Sequence, residues 1–283
     1  MTGEPDRVIT STHNPLIVEA RKLDQRKHRL RQDCFLVEGL QLLRMALDAG
    51  VRPRAVFFCE GYFAGEVAPA LLKRSREAGA QVVAVSAAVM AALSERDAPQ
   101  GLIATLPLIE RGLDDLRPAP DGLVLVVDRL QDPGNLGTLI RTADAVSAAA
   151  VALIEPCVDL FDRKTVRATM GSLFNLPIVQ TDDVPALFAR LHGAGLRSVG
   201  ADAHMGTDWG ADCWRGGVAL VLGNEARGLS EDVRAHVQAW ARLPMLGRAE
   251  SLNVAIAGGV LLYAWLRENW REMPHIQGKG TQG

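Results

Sequence analysis

Three separated stretches carry polar side chains whose types and spacing suit chemistry on a polar substrate. In "VVDRLQDPGNLGTLIRTADA" (126–145) an apolar strand pattern gives way to a Pro-Gly turn, then Asn135, then Arg141 inside an apolar helical pattern. In "LVLGNEARGLS" (220–230) Glu225 follows a strand that ends at Gly223. In "RLPMLGRAESLNVAIAGG" (242–259) an apolar "LPM" loop leads to Ser251 and Asn253 at the head of a long apolar helix. Amide, guanidinium, carboxylate and hydroxyl groups together can orient a substrate and stabilise charge that develops on it. Structural duties compete for each group: Asn135 can cap its helix, Arg141 can sit in a salt bridge, and Ser251 suits an N-cap. Yet an Arg flanked by "TLI" and "TADA", and an Asn in the first turn of an apolar helix, both need partners, because such groups are expensive to bury alone. Glu225 is the expected partner of Arg141. The Gly258-Gly259 pair, at about 1 kcal/mol per glycine against Ala within a helix, points to close approach of another backbone.

The same stretches exclude familiar alternatives. The glycines of "PGNLG" do not make the G-x-G-x-x-G of a dinucleotide site, and no G-K-[ST] of a phosphate loop is present. No His/Cys/Asp cluster has metal-ligand spacing, so no metal is expected. Cys34, Cys59, Cys157 and Cys213 are scattered with no C-x-x-C, which reads as reduced thiols. Net charge is only −2, so any nucleic-acid site must be a local patch. Residues 21–31 offer one: Arg21, Lys22, Arg26, Lys27, Arg29 and Arg31 stand there with Asp24 as the sole acid. Such a run is either a solvated helix face or a surface for phosphates. No apolar run reaches the roughly 18 residues of a membrane span, and the N-terminal stretch lacks a signal-peptide core. A soluble, cytoplasmic protein is expected.

These residues must be positioned by an α/β framework. Residues 1–14 are polar and read as a flexible N-terminus. Helical patterns at 39–50, 66–79 and 87–94, with Ser86 as a cap, alternate with strand patterns at 54–58, 81–85 and 100–106. They make a small α/β domain over 15–106. The proline-rich, aperiodic stretch 107–121 reads as a linker. From 122 to 272, strands at 123–127, 150–154, 176–180, 196–200 and 217–223 alternate with helices, including 161–175 and 251–269. That alternation argues for a mostly parallel sheet covered on both faces. Residues 273–283 read as a flexible tail.

Together the three stretches resemble the SpoU/TrmH branch of the SPOUT RNA methyltransferases. The family motif N-x-G-x-x-x-R is matched by Asn135, Gly137 and Arg141. Its G-N-E-G-x-G-L-S is matched by "GNEARGLS", with Ala226 where glycine is usual, a departure that bears on loop backbone rather than on any side-chain role. Its "PM" loop with S-L-N-V is matched by "LPMLGRAESLNV". The likeness is close over 122–270 and looser over 14–106, which is similar to the ribosomal-protein-L30-like RNA-binding domain of many members.

The resemblance implies a C-terminal parallel-sheet α/β domain with a deep trefoil knot, preceded by a small L30-like α/β domain. It implies S-adenosylmethionine as cofactor, held by Gly223, Leu243, Met245 and Leu252, with Ala201 a further candidate. It implies a catalytic set of Asn135, Arg141, Glu225, Ser251 and Asn253 for methyl transfer to a ribose 2′-hydroxyl of RNA. The family assigns Arg141 the role of base. Because a guanidinium is always protonated, orienting the ribose and stabilising alkoxide charge is the role that physics favours. Homodimers joined through the C-terminal domain are implied, with Trp265 and Trp270 as anchors or core. In this context the basic run, and Arg163, Lys164 and Arg167, read as RNA contacts. Ribosomal RNA is the expected substrate, because a dedicated RNA-binding domain suits a large structured target. Transfer RNA, methylation of a base, and a non-catalytic assembly factor are the alternatives.

Overall fold

The computed structural model describes residues 8–63, 65–203, 205–209 and 212–270. The chain divides into two compact units, 1–109 with 159–175, and 110–158 with 176–283. The expected tail at 273–283 and residues 1–7 of the expected loose N-terminus lie outside the described residues.

The first unit contains α1 (Pro15–Lys22), α2 (Arg26–Gln32), β1 (Cys34–Glu38), α3 (Leu40–Asp48), β2 (Ala55–Phe58), α4 (Val67–Glu77), β3 (Gln81–Ala84), α5 (Ala87–Leu93) and β4 (Leu102–Pro107). Its four strands run in the order β1-β4-β2-β3, with β4 antiparallel to both neighbours and β2 parallel to β3. Ile17, Leu36, Phe57, Val89, Met90 and Ile103 build a core on this sheet. Ser86 caps α5 by accepting from Val89 N, as its position in the sequence predicts. Strand β1 has no counterpart in the sequence reading. Its "CFLVE" is buried along almost its whole length, so it carries no alternation to mark it. Residues 8–14 are not loose throughout: Ile9 N donates to Ala84 O at 2.9 Å, and Ile9 O accepts from Ser86 N at 3.0 Å.

The second unit opens with β5 (Leu123–Asp128), α6 (Pro133–Ala145) and β6 (Ala150–Ile154). The chain then supplies α7 (Arg163–Ala168) to the first unit. It continues with β7 (Ile178–Thr181), α8 (Val184–Gly193), β8 (Arg197–Ala201), β9 (Thr207–Asp208), β10 (Val218–Leu222), α9 (Glu231–Arg234), β11 (Ala239–Arg242) and α10 (Val254–Asn269). All strands are parallel, in the order β7-β6-β5-β10-β8-β11-β9. β5, β6 and β10 are buried at every position, which is why each reads as a continuous apolar run.

Several boundaries differ from the sequence reading. The helix expected over 161–175 ends at Ala168, and a 3-10 turn at Ser172–Phe174 follows. The whole segment 159–175 joins the first unit, where the Phe161 ring lies 4.8 Å from that of Phe35. The linker 107–121 is partly structured, because Leu116 is buried in the second unit's core. Strand β11 and helix α8 were not anticipated. The close approach expected at Gly258 is real but involves side chains: a Cβ there would collide with Leu139 of α6 and Leu222 of β10. The four cysteines are free, and burial pushes the Cys157 thiol up to about 12. No helix among the described residues is long and apolar enough to cross a membrane.

His192 of α8 is held below its ordinary pKa, chiefly by burial and further by nearby His236. Its Nε2 lies 3.0 Å from Ser198 Oγ on β8. The unfolded chain therefore takes up this proton more readily than the folded one. Stability is complete above the ordinary value of about 6.5 and falls as pH drops through it toward the lowered folded value. Urea midpoints at pH 7.5 and 5.5 are expected to separate more for the wild type than for His192→Gln. Equal separations would refute this assignment.

Candidate functional site

The site is built where β5, β8 and β10 end, the side of an open α/β sheet where ligands bind. After β5, Asp132 caps α6 by accepting from Asn135 N at 2.7 Å, with Pro133 next in line. The cap expected of Asn135 thus belongs to Asp132, and the Asn135 side chain is released for other partners. Its Nδ2 donates to Glu225 Oε1 at 3.1 Å, and its Oδ1 accepts from Asn253 Nδ2 at 2.9 Å. Asp132 N also donates to Glu225 Oε1, at 3.4 Å. One carboxamide therefore joins all three stretches.

The expected Glu225–Arg141 pair is absent. Six residues of helix turn Arg141 about 240° away from Asn135, so the two side chains leave α6 on different faces. Arg141 is exposed, and no hydrogen bond or ion pair joins it to another described residue. The burial problem inferred from its apolar neighbours does not arise.

The loop after β10 is held from within. Asn224 Nδ2 donates to Arg129 O at 2.9 Å, and Asn224 Oδ1 accepts from Ala226 N and Arg227 N at 3.0 and 3.2 Å. The buried Asp128 accepts both the N and the Oγ of Ser230 at 2.7 Å, pinning the loop's far end to β5. Gly223 is required because a Cβ would fall on the backbone of Gly228 and Leu229. The left-handed position falls on Gly228, at φ +68°, and not on Ala226, so alanine fits where the family has glycine. Asp128, Asp132 and Asn224 were missed as site residues. Only Asp132-Pro133 carried a readable signal, the pairing of an N-cap with a first-turn proline.

On the third stretch the N-cap of α10 is Asn253, not Ser251. Asn253 Oδ1 accepts from Ala255 N and Ile256 N at 2.9 and 3.3 Å. It caps the helix with its oxygen and holds Asn135 with its nitrogen. Ser251 is exposed in the preceding loop.

The loops after β8, β10 and β11, with the head of α10, surround a cleft of about 560 Å³. Ala201, Gly223, Leu243, Met245 and Leu252 all line it, as do Glu225, Ser251 and Asn253; Asn135 and Arg141 do not. Apolar walls with a few converging polar groups, at that volume, fit a nucleoside-sized cofactor. No group of three or more His, Cys, Asp or Glu among the described residues is placed to hold a metal ion.

The expected RNA-contacting cations divide. Arg21, Arg26, Lys27, Arg31 and Lys164 are exposed, and Lys22 and Arg167 are half-buried. Arg29 is buried, donating to Leu23 O, Asp24 O and Asp159 Oδ2 at 2.6, 3.0 and 2.7 Å. Arg163 is also buried, pairing with Asp24 at 3.0 Å and Glu38 at 3.4 Å. Neither reaches solvent, so the RNA-contact expectation is withdrawn for both. Arg163, Lys164 and Arg167 belong to the first unit, not to the unit that holds the cleft.

Comparison with known proteins gives two family matches. Residues 122–263 match the SpoU rRNA Methylase family, and residues 14–104 match an MRM3-like substrate binding domain. The chain is 37% identical over 268 residues to an uncharacterized tRNA/rRNA methyltransferase of Synechocystis, covering 93% of this chain and 94% of that one. It is 32% identical to the 23S rRNA (guanosine(2553)-2′-O)-methyltransferase RlmP of Bacillus subtilis, covering 90% and 97%. The AdoMet-bound rRNA methyltransferase of Sinorhizobium meliloti superposes with a TM-score of 0.85 at 33% identity, covering 92% of this chain and 97% of that one.

The double duty of Asn253 is separable. Asp caps helices as well as Asn does, but it cannot donate to Asn135. Asn253→Asp should melt near the wild type and lose roughly tenfold or more in affinity for S-adenosylmethionine. Asn253→Ala should lose about 1 kcal/mol of stability as well. Calorimetric titration beside thermal melting separates the two effects. Unchanged affinity in Asn253→Asp would show that the bridge to Asn135 is dispensable.

Proposed function

The chain belongs to the SpoU rRNA methylase family, and on that premise we propose that it transfers the methyl group of S-adenosylmethionine to a ribose 2′-hydroxyl of 23S ribosomal RNA. The observation that carries the reading is a cleft lined by the second and third motif stretches, to which the Asn135 bridge ties the first. RlmP of Bacillus subtilis, named for 2′-O-methylation of a 23S rRNA guanosine, matches over nearly its whole length and supports the choice of RNA. The substrate-binding domain matched at 14–104 supports a large structured target. The reaction then takes place in the cytoplasm.

S-adenosylmethionine supplies an electrophilic methyl on a sulfonium. Leu243, Met245 and Leu252 hold it against the backbone at Gly223 and Ala201, excluding water. Asn135, by fixing Glu225 and Asn253, keeps the polar edge of the cleft in one arrangement, and Ser251 completes that edge. Holding oxygen and methyl in line is itself a large part of such a rate enhancement. The transfer leaves S-adenosylhomocysteine and releases the hydroxyl proton to solvent, while Arg141, always protonated, donates to the ribose oxygen and stabilises its developing charge.

The strand order supports the trefoil knot, since β10 lies between β5 and β8, both earlier in the chain. A homodimer forms through α10, where Ile256 and Tyr263 are 58% and 52% exposed. Trp265 is no anchor, because it is buried in its own unit with Nε1 donating to Gly216 O at 2.8 Å. Trp270, exposed, remains available to the interface. The first unit, which the resemblance relates to the L30-like domain, takes RNA through Arg21, Lys22, Arg26, Lys27 and Arg31, with Lys164 and Arg167 adding charge.

Purified protein with labelled S-adenosylmethionine should methylate unmodified 23S rRNA, and nuclease digestion should place the label on a ribose. Label on a base, or on transfer RNA alone, would overturn the assignment. Arg141→Ala should lower kcat by about 10²–10³-fold and leave cofactor affinity near that of the wild type. Lys27→Ala should reduce the salt slope of RNA binding by about one without touching cofactor affinity.

A further inference from the structure

Among the described residues lining the cleft only two carry a formal charge, Glu225 and Asp202, and both are acidic. Glu225 is engaged by Asn135 and Asp132. Asp202 is the first residue after β8, and nothing so far gives it a role. Its backbone is fixed to the neighbouring strand, with Asp202 N donating to Ala241 O at 3.1 Å. Its Oδ1 accepts from Met205 N at 3.1 Å. Its Oδ2 lies 3.6 Å from Nη1 of Arg234, whose guanidinium sits 4.6 Å over the Trp240 ring. The side chain is 22% exposed, and its neighbours on the cleft wall, Ala201, Ala203 and Leu243, are uncharged.

A carboxylate at the carboxyl end of a parallel strand, beside an apolar slot, is the arrangement by which open α/β sheets take ribose hydroxyls. We propose that Asp202 is a cofactor-binding residue whose carboxylate accepts the ribose hydroxyls of S-adenosylmethionine. This rests on reading the cleft as the cofactor site. Two ligand groups compete for such a carboxylate, the hydroxyl pair and a cation. Arg234 already compensates the charge, which leaves an acceptor better matched to neutral hydroxyls than to the ammonium or sulfonium. Arg234, held by Trp240, is then a positioning residue for Asp202.

Calorimetry on the full-length protein tests this with S-adenosylmethionine, S-adenosylhomocysteine and the 2′-deoxy and 3′-deoxy forms of the latter. Asp202→Ala should weaken S-adenosylmethionine and S-adenosylhomocysteine alike, by about 10- to 100-fold, as loss of hydrogen bonds to a charged acceptor implies. The wild type should lose a comparable factor toward the deoxy forms, and Asp202→Ala should barely distinguish them from the parent. The isosteric Asp202→Asn, with its melting temperature measured without ligand, separates lost recognition from lost folding. Affinities of a folded Asp202→Ala within twofold of the wild type would overturn the proposal. So would a loss confined to S-adenosylmethionine, which would make Asp202 a counter-ion to the sulfonium. If Leu243→Arg, which fills the cleft, binds S-adenosylmethionine as well as the wild type does, the cofactor lies elsewhere and the reading of the cleft falls too. Loss of binding in Leu243→Arg with no effect in either Asp202 variant would leave the cleft assignment standing and remove only Asp202.

Discussion

The carboxamide of Asn135 has a donor side and an acceptor side, and the site depends on both being used at once. The donor reaches Glu225, 90 residues on, and the acceptor takes Asn253, 118 residues on. Segments so distant in sequence meet only if the sheet brings their strands side by side. The pairing of β5 with β10 does this for the first two, and the packing of α10 on α6 and β10 does it for the third. Rotating the amide would set like against like at both ends. The bridge thus selects one arrangement of three loops, and a hydrogen-bonded polar network can specify a unique state in this way.

The framework behind this network is closely packed. β5 and β10 are buried on both faces and pair in register from Leu123 with Val218 to Val127 with Leu222. Gly223 and Gly258 mark where the packing is tightest, one where the loop closes on its own backbone, the other where α10 settles against Leu139 and Leu222. Asp128 holds the far end of the Glu225 loop and Arg129 O its near end, so both ends are tied to the chain leaving β5 toward α6. Interiors packed this closely transmit small displacements, so changes in β5 or β10 act directly on the cleft.

The sequence declared the site more readily than the scaffold's details. Short polar motifs at strand ends stand out against apolar runs, and the five residues read as lining a cofactor site do line one cleft. Side-chain partners were harder to read. By sequence Asn135 suits a cap, yet the cap is Asp132; Ser251 suits one too, yet it is Asn253. Both errors are shifts of two or three residues, within the slack that helix-boundary signals allow. Basic residues were the least legible. Arg29 and Arg163 look like their neighbours in sequence, and only tertiary packing buries them against Asp159 and Glu38. Nor could the sequence show that 159–175 would join the first unit, because burial of Phe161 against Phe35 is a contact across more than a hundred residues.

The separation of Asn135 from Arg141 on α6 matters to the chemistry. On the role proposed for Arg141, a pairing with Glu225 would have neutralised the guanidinium where negative charge is to form. A donor already matched to an anion has less to offer a developing alkoxide, since only interactions stronger in the transition state than in the ground state accelerate the step. The motif spacing prevents this pairing by geometry: six helical residues turn the guanidinium away from the face that carries the amide bridge. Glu225 is instead held by neutral donors, the Asn135 amide and the Asp132 backbone N–H. One helix thus serves two purposes on two faces. It ties the cleft's loops together with Asn135 and leaves Arg141 exposed, which is what the proposed role of Arg141 requires.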